Sequence, residues 1–195
     1  MITPHPPPAG DFRIDPETGL AQGAVHLPSP HCDDRPRGTT IDLLVIHAIS
    51  LPAGAYGGDD VAKLFLGTLD CTRRAEYGEL AKLRVSAHFL LRRDGQTQQF
   101  VPVHRRAWHA GASCFAGRAR CNDFSVGIEL EGSDRDGFTA EQYAVLAKLT
   151  RALRAVFPAI RAENIVGHSD IAPGRKTDPG PHFDWAVYRA ALMAA

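Results

Sequence analysis

The sequence predicts a single α/β domain in which helices pack on a central mixed β-sheet. Strand-like apolar runs alternate along the chain with stretches of helical spacing, which is typical of this class. An Asp-Gly turn within residues 93–96 joins two of the strands as a hairpin, so the sheet is not expected to be wholly parallel. The 195 residues suit one domain with one core.

The predicted strands are short apolar runs bounded by Pro, Gly or polar residues. They are expected at residues 41–46, 86–91, 97–101, 124–130 and 164–168. Residues 1–40 carry many Pro and Gly and little periodicity, so ordered structure is expected to begin near Ile41. We predict an irregular N-terminal tail over residues 1–27 and the folded domain over residues 28–195.

Three helices are predicted around these strands. The first follows a glycine-rich loop at residues 51–58, a candidate lid, and has Asp59 or Asp60 as its cap. The second, over residues 139–157, opens with a Thr-x-x-Gln capping box and is stopped by a proline. The third begins near Asp184 and shows its aromatic and apolar residues on one face.

Charge and composition restrict the partners. Lys plus Arg equals Asp plus Glu at 22 each, which predicts neither nucleic-acid binding nor attraction to an anionic membrane. No apolar run approaches the roughly 20 residues of a membrane span, and the start lacks a leader pattern, so we expect a soluble cytoplasmic protein. Cys32, Cys71, Cys114 and Cys121 form no Cys-x-x-Cys pair and are expected to be reduced. A Cys114–Cys121 bridge and a cysteine metal site remain as alternatives.

Candidate metal ligands lie at the ends of two predicted strands. His47 and His168 each close an apolar run, and Asp178 follows on a loop rich in Pro and Gly. Two histidines and one aspartate would leave a zinc ion one open position, the arrangement of a catalytic site. Each residue alone is as well explained by a core histidine or a turn aspartate. Composition alone also leaves room for His88 or His109 as ligands.

Two carboxylates lie in the apolar strand at residues 124–130 and just beyond it. An ionised Glu129 in that strand would be costly unless a cation or a partner lay nearby, and a zinc ion would compensate it. Glu131 has the same parity, so it shares the strand face and spacing cannot choose between the two. The plain alternative for either residue is a structural ion pair.

Several motifs in one order resemble a known family. They are VIHAISLP (45–52), LRVSAHFLLRRDG (83–95), AWHAG (107–111), CNDFSVGIELEG (121–132), and GH (167–168) with RKTDPGPHFDW (175–185). Together they are similar to the zinc-dependent N-acetylmuramoyl-L-alanine amidases, and in particular to the cytoplasmic AmpD type, over about residues 28–190. The resemblance implies the α/β fold that these amidases share with peptidoglycan recognition proteins.

The resemblance also implies roles for the candidate residues. It makes His47, His168 and Asp178 the zinc ligands, and it selects Glu129 as the carboxylate that acts on the metal-bound water. Lys176 would stabilise the oxyanion.

By the same resemblance, Arg84 and Arg120 would hold the carboxylates of a stem peptide. Trp108 and His109 would line the groove at the sugar-peptide junction, with His88 beside them or orienting its neighbours. The plain alternatives are surface charges for the arginines and a core aromatic for Trp108.

The implied activity is zinc-dependent hydrolysis of the bond between (1,6-anhydro-)N-acetylmuramic acid and L-alanine during peptidoglycan recycling. The implied partner is a small muropeptide, bound by a monomer. One departure concerns Ala48, where the AmpD pattern has Asn, so one amide contact to substrate is expected to be missing. Two alternatives are an amidase of intact peptidoglycan and a non-catalytic peptidoglycan-binding module.

Overall fold

A computed structural model describes residues 11–194. Its strands, in chain order, are β1 Arg13–Ile14, β2 Ala21–Gln22, β3 Val25–His26, β4 Cys32–Asp34, β5 Leu43–Ile49, β6 Phe89–Leu91, β7 Thr97–Gln99, β8 Arg105–Ala107, β9 Cys114–Phe115, β10 Arg118–Ala119, β11 Ser125–Glu131 and β12 Ile165–Gly167. Its α-helices are α1 Asp60–Phe65, α2 Ala140–Val156, α3 His168–Ile171 and α4 Trp185–Met193. Short 3-10 helices cover Ala75–Lys82, Cys121–Asp123 and Ala162–Asn164.

The central sheet has six strands in the order β12-β5-β11-β6-β7-β3. Its neighbours pair in parallel, except that β6 and β7 form an antiparallel hairpin. Gly95 supplies the left-handed residue of that turn, with φ of +84°. The predicted mixed sheet and the predicted hairpin are therefore confirmed.

The two faces of the sheet carry different covers. Leu44 and Ile46 of β5, with Val126 and Ile128 of β11, pack in the main core with helix α2. The opposite face of β5 presents Leu43 and Val45 to a smaller apolar cluster under the segment before β11. Because side chains alternate along a strand, His47 and Glu129 lie on this second face, away from α2.

Helix α2 forms where its capping box predicts it. Thr139 Oγ1 accepts from Gln142 N at 3.1 Å, and the Gln142 side chain accepts from Thr139 N. The Gln142 amide also donates to the carbonyls of Leu91 and Glu131, which ties the helix start to β6 and β11. The last helix, α4, begins after the Asp184 cap and packs on α2. Helix α2 thus covers the face of the sheet opposite the candidate site.

The N-terminal region differs from its prediction. Residues 1–10 lie outside the described residues, whereas residues 11–27 contain β1, β2 and β3 where irregular chain was predicted. Ile14 and Ala21 belong to the main core, and β3 extends the central sheet beside β7. Strands of two residues are too short to show a periodicity in the sequence, so the pattern could not reveal them.

Two further boundaries differ near the site. Strand β5 runs two residues past His47, so this histidine lies within the strand and not at its end. His168 opens the four-residue helix α3, which was not predicted because one helical turn is too short for a periodic signal.

The four cysteines are free thiols. Among the helices of the described residues, none has both the length and the apolar character needed to cross a bilayer.

The cap of α2 gives a stability prediction. Thr139→Ala removes the side-chain acceptor of the cap and a hydrogen bond from Thr139 to the Arg93 carbonyl, so the free energy of unfolding should fall by about 1–2 kcal/mol in urea. Thr139→Ser keeps the hydroxyl, so its free energy of unfolding should fall by much less. Equal losses for the two variants would contradict this assignment.

Candidate active site

Three side chains from separate segments converge at the carboxyl edge of the sheet. His47 Nδ1, His168 Nδ1 and Asp178 Oδ2 lie 3.0–3.1 Å from one another. These residues could hold a metal ion, as their ligand atoms form one compact group. Both histidines are almost wholly buried, whereas the Asp178 side chain is 18% exposed. The group is therefore open to solvent on the side of Asp178.

The loop that carries Asp178 is fixed to the start of α3. Ser169 N donates to the Asp178 carbonyl, and Gly167 N donates to the Asp170 carboxylate. Arg175, on the same loop, donates to the carbonyls of Ala110 and Ala112. The loop is thus held at both ends while its aspartate points towards the two histidines.

The far nitrogens of both histidines also have partners. His168 Nε2 lies 3.2 Å from the Ala110 carbonyl oxygen, and only a donor can satisfy that contact. His47 Nε2 lies 2.9 Å from His109 Nδ1. When each Nε2 carries its proton, both Nδ1 lone pairs face the Asp178 carboxylate. A group of lone pairs without protons between them favours a bound cation.

The protonation states of His47 and Asp178 also favour a bound cation. Burial lowers the pKa of His47 to about 4, despite its hydrogen bond to Asp178, so the imidazole is neutral near pH 7. Burial alone would raise the pKa of Asp178, but its polar contacts with His168 and His47 hold it well below its usual range. Neutral imidazole and ionised carboxylate are the forms that bind zinc.

Glu129 lies next to this group without a partner of its own. In the parallel pairing of β11 with β5, Glu129 is directly opposite His47. Its Oε2 is buried and lacks a hydrogen-bond partner within residues 11–194. Burial raises the pKa of Glu129 well above its usual range, the Asp178 charge adds to this, and the Lys176 charge opposes it. Such a carboxylate binds a proton more readily than an exposed glutamate does, which suits a group that accepts and releases a proton.

Glu131 has a different environment although it shares the strand face. Its carboxylate accepts from Gly57 N at 2.7 Å, from Arg92 at 3.3 Å and from Arg93 N at 3.3 Å. It is therefore the structural ion pair that the sequence left open, and it anchors the end of the 51–58 loop. Tyr56 of that loop also donates to Asp136. The candidate lid is tied to the segment after β11 in this structure.

Trp108 is held at the edge of the site by a charged network. Its indole N–H donates to Asp33 Oδ1 at 3.0 Å, and its ring stacks on His31. Arg106 binds Asp33 through two nitrogens and also donates to Asp123. The hydrogen bond from Arg106 lowers the pKa of Asp33 to about 2, although burial opposes it. Trp108 is half-buried, and sequence reasoning did not find Asp33 as its support.

The predicted arginines and Lys176 are exposed side chains. Arg84 donates only to the carbonyls of its own turn, Ala81 and Leu83. Arg120 has a left-handed backbone, with φ of +63°, and pairs with Asp123. Lys176 lies within electrostatic reach of both His47 and Glu129. The Lys176 charge thus acts on His47 and Glu129, while the Arg84 and Arg120 side chains are exposed to solvent.

Both histidines that the resemblance places at the groove make hydrogen bonds inside the protein. His88 is fully buried, accepts from Gly127 N, and contacts Arg35 and the Arg105 carbonyl through its other nitrogen. His109 uses one nitrogen on His47 and the other on the Ser125 hydroxyl. The His88 ring is thus enclosed by protein, whereas the His109 ring is half-buried beside His47, as is the neighbouring Trp108.

Arg35 is a half-buried residue that the sequence placed in irregular chain. Its guanidinium donates to the carbonyls of Val103, Asn122, Asp123 and Ser125. Burial lowers the pKa of Arg35 to about 10. A lone arginine in a segment rich in Pro and Gly gave no signal of this role.

Comparison with known proteins agrees with the geometry. A family model described as N-acetylmuramoyl-L-alanine amidase matches residues 37–181. The chain belongs to this family, which confirms the resemblance, and it is an amidase, a hydrolase of amide bonds.

Its relatives include the 1,6-anhydro-N-acetylmuramyl-L-alanine amidase AmpD of Escherichia coli K12, 56% identical over 90% of this chain and 96% of that protein. The Haemophilus influenzae AmpD is 47% identical over 91% of this chain and 97% of that protein. A crystal structure of a selenomethionine AmpD derivative superposes with a TM-score of 0.88 at 53% identity, covering 90% of this chain and 98% of that one. The predicted fold is thereby confirmed.

Loss of charge should destabilise the protein at Glu131 but not at Glu129. In zinc-free protein, Glu131→Gln should lower the free energy of unfolding by about 1.5–3 kcal/mol, since Arg92 and Gly57 lose a charged acceptor. Glu129→Gln should cost nothing, because its buried Oε2 has no partner to lose. Urea unfolding would measure both, and the reverse order would contradict the assignment.

Proposed function

We propose that this amidase hydrolyses the bond between 1,6-anhydro-N-acetylmuramic acid and L-alanine in soluble muropeptides, with zinc held by His47, His168 and Asp178. The observation that carries the proposal is the compact ligand group with the unpartnered Glu129 opposite His47. The AmpD relatives bear the name of this activity. The Escherichia coli amidase AmiD has been solved with anhydro-N-acetylmuramic acid-L-Ala-D-gamma-Glu-L-Lys, at 27% identity and a TM-score of 0.57, covering 95% of this chain and 67% of that one.

In the proposed reaction, Glu129 transfers a proton and Lys176 offsets a developing negative charge. Zinc in such a site lowers the pKa of water to about 7 and polarises a carbonyl. Glu129 takes a proton from the attacking water and then delivers it to the leaving nitrogen. Lys176 offsets the negative charge that develops on the carbonyl oxygen. The products are the anhydromuramyl sugar and the free peptide.

The exposed residues around the edge fit the peptide part of this substrate. Guanidinium groups bind carboxylates through paired hydrogen bonds, and Arg84 and Arg120 are the predicted carboxylate contacts. Trp108 offers a half-buried aromatic face, fixed through Asp33, to the sugar-peptide junction. Ala48 stands where the AmpD pattern has Asn, so the proposed site lacks the amide hydrogen bond to substrate at this position.

We further propose that the enzyme works as a cytoplasmic monomer during peptidoglycan recycling. The support is its likeness to the AmpD type. A second candidate substrate is intact peptidoglycan. Activity on polymeric wall that equals activity on soluble muropeptide would favour that alternative.

The direct test is product analysis. Purified protein incubated with an anhydromuramyl tripeptide should release the anhydromuramyl sugar and the tripeptide, identified by mass spectrometry. A chelator should abolish the products, and added zinc should restore them. Unchanged substrate in the zinc-loaded sample would contradict the proposed activity, while full activity after chelation would contradict the metal.

Glu129→Gln separates proton transfer from metal binding. The amide keeps the shape of the side chain but cannot take the proton, so kcat should fall by about 10²- to 10⁴-fold while zinc content stays at one per chain. Glu163→Gln is the control, because Glu163 is exposed and precedes β12, at the opposite edge of the sheet. A Glu129→Gln variant with near wild-type kcat would remove Glu129 from the reaction.

Arg84→Ala and Arg120→Ala should act on binding. Contacts to the peptide carboxylates exist in both the ground state and the transition state, so KM should rise several-fold while kcat is nearly kept. Arg161→Ala, an exposed arginine before β12, provides the matched control. Unchanged KM on a diaminopimelate-containing peptide would show that neither arginine touches it.

A further inference from the structure

We propose that His109 is a positioning residue for His47, acting through a hydrogen-bonded chain from Ser125 to His109 to His47. The inference rests on the proposed role of His47 as a metal ligand. It gives His109 a role at the metal site, whereas the resemblance implies one at the substrate groove.

The chain uses both nitrogens of the His109 ring. Nδ1 lies 2.9 Å from His47 Nε2, and Nε2 lies 3.1 Å from Ser125 Oγ. The two imidazole rings meet nearly at right angles, at an interplanar angle of 85°. Neither nitrogen of His109 is left for a substrate. Its hydrogen-bonding capacity is spent inside the protein.

This contact restrains the ring orientation and the tautomer of His47. A ligand histidine that hydrogen-bonds through its far nitrogen has its ring orientation and its tautomer set by that partner, which is commonly a carboxylate or a carbonyl. His168 follows this rule, since its Nε2 meets the Ala110 carbonyl. For His47 the partner is the imidazole of His109. Consecutive residues 109 and 110 therefore hold the two histidines of the ligand set.

The backbone of these two residues is itself clamped. Asn122 Oδ1 accepts from His109 N at 3.1 Å and from Ala110 N at 2.8 Å. Arg175 reaches the Ala110 carbonyl from the other side. The segment is therefore held from two directions, and the positions of the His109 ring and the Ala110 carbonyl are fixed relative to each other.

The sheet surface has a space shaped for the His109 ring. A Cβ on Gly127 would overlap the ring of His109, so the ring lies directly on the Gly127 backbone. Gly127 does not have a left-handed backbone, so its lack of a side chain, not its conformational freedom, is what the site uses. Ser125 and Glu129 lie on the same strand face, two residues before and after it. The strand thus receives His109 between its hydroxyl and its free carboxylate.

Zinc affinity is the property that this role predicts. Loss of an outer partner of a metal ligand typically weakens metal binding by about 10- to 100-fold. His109→Phe keeps a ring of similar size but offers His47 no acceptor, so its zinc dissociation constant should rise by that factor. His109→Asn keeps an acceptor near the position of Nδ1 and should recover most of the affinity. A purely structural role for the ring predicts the opposite order, because Phe fills the space better.

The experiment is competition for zinc against a chromophoric chelator, using full-length folded protein checked by circular dichroism. Ser125→Ala provides a second variant with less risk to folding, and it should show a smaller loss of affinity in the same direction. Ser86→Ala is its matched control, since Ser86 is equally buried but binds the His31 carbonyl and Trp108 N. The visible spectrum of the cobalt-substituted protein should shift in His109→Phe and not in Ser86→Ala.

The outcomes separate this inference from the proposed function. Wild-type protein that binds no zinc would overturn both. One zinc per chain in the wild type, with unchanged affinity in His109→Phe and Ser125→Ala, would overturn only the positioning role. A higher KM with unchanged zinc affinity in His109→Phe would instead place His109 at the substrate groove.

Discussion

Strands β5 and β11 pair in parallel with His47 directly opposite Glu129, and this register determines which side chains meet at the carboxyl edge of the sheet. Because side chains alternate, a slip of one residue would turn Glu129 into the core beneath α2. The in-register pairing instead places an imidazole and a carboxylate side by side on the face that α2 leaves open. β12 pairs in parallel with β5 on its other side and delivers His168 to the same edge. Parallel pairing thus gathers residues that are far apart in sequence.

A second constraint comes from the segment around residues 107–112, which crosses this face. It supplies the Ala110 carbonyl for His168 and the His109 ring for His47. Asn122 and Arg175 fix its backbone from opposite sides. The three side chains thus come from β5, from the start of α3 and from a loop, and the clamped 107–112 segment contacts both histidines while Asp178 remains partly open to solvent.

Sequence reasoning located the residues whose chemistry is unusual for their surroundings. His47 and His168 were conspicuous as imidazoles closing apolar runs, Asp178 as a carboxylate on a loop rich in Pro and Gly, and Glu129 as a carboxylate in an apolar strand. The choice between Glu129 and Glu131 could not be made from spacing, because both lie on one strand face. The structure separates their environments: Arg92 and two backbone N–H groups bind Glu131, whereas the buried Glu129 Oε2 has no hydrogen-bond partner among residues 11–194.

What the sequence could not predict depends on tertiary contacts. The two-residue strands β1 to β3 and the single turn of α3 are too short for periodicity to reveal them. Arg35 and Asp33 lie in a segment rich in Pro and Gly, yet one donates to backbone carbonyls and the other fixes Trp108. For His109 the motif gives the residue type and order but not which way the ring turns. Only the packing over Gly127 shows that.

Anomalous diffraction from crystals grown with zinc tests the central claim most directly. Data on both sides of the zinc absorption edge should show one strong peak per chain, within about 2.0–2.2 Å of His47 Nδ1, His168 Nδ1 and Asp178 Oδ2. No peak among these three atoms, or a full-occupancy peak bound by His88 or by cysteines instead, would contradict the account.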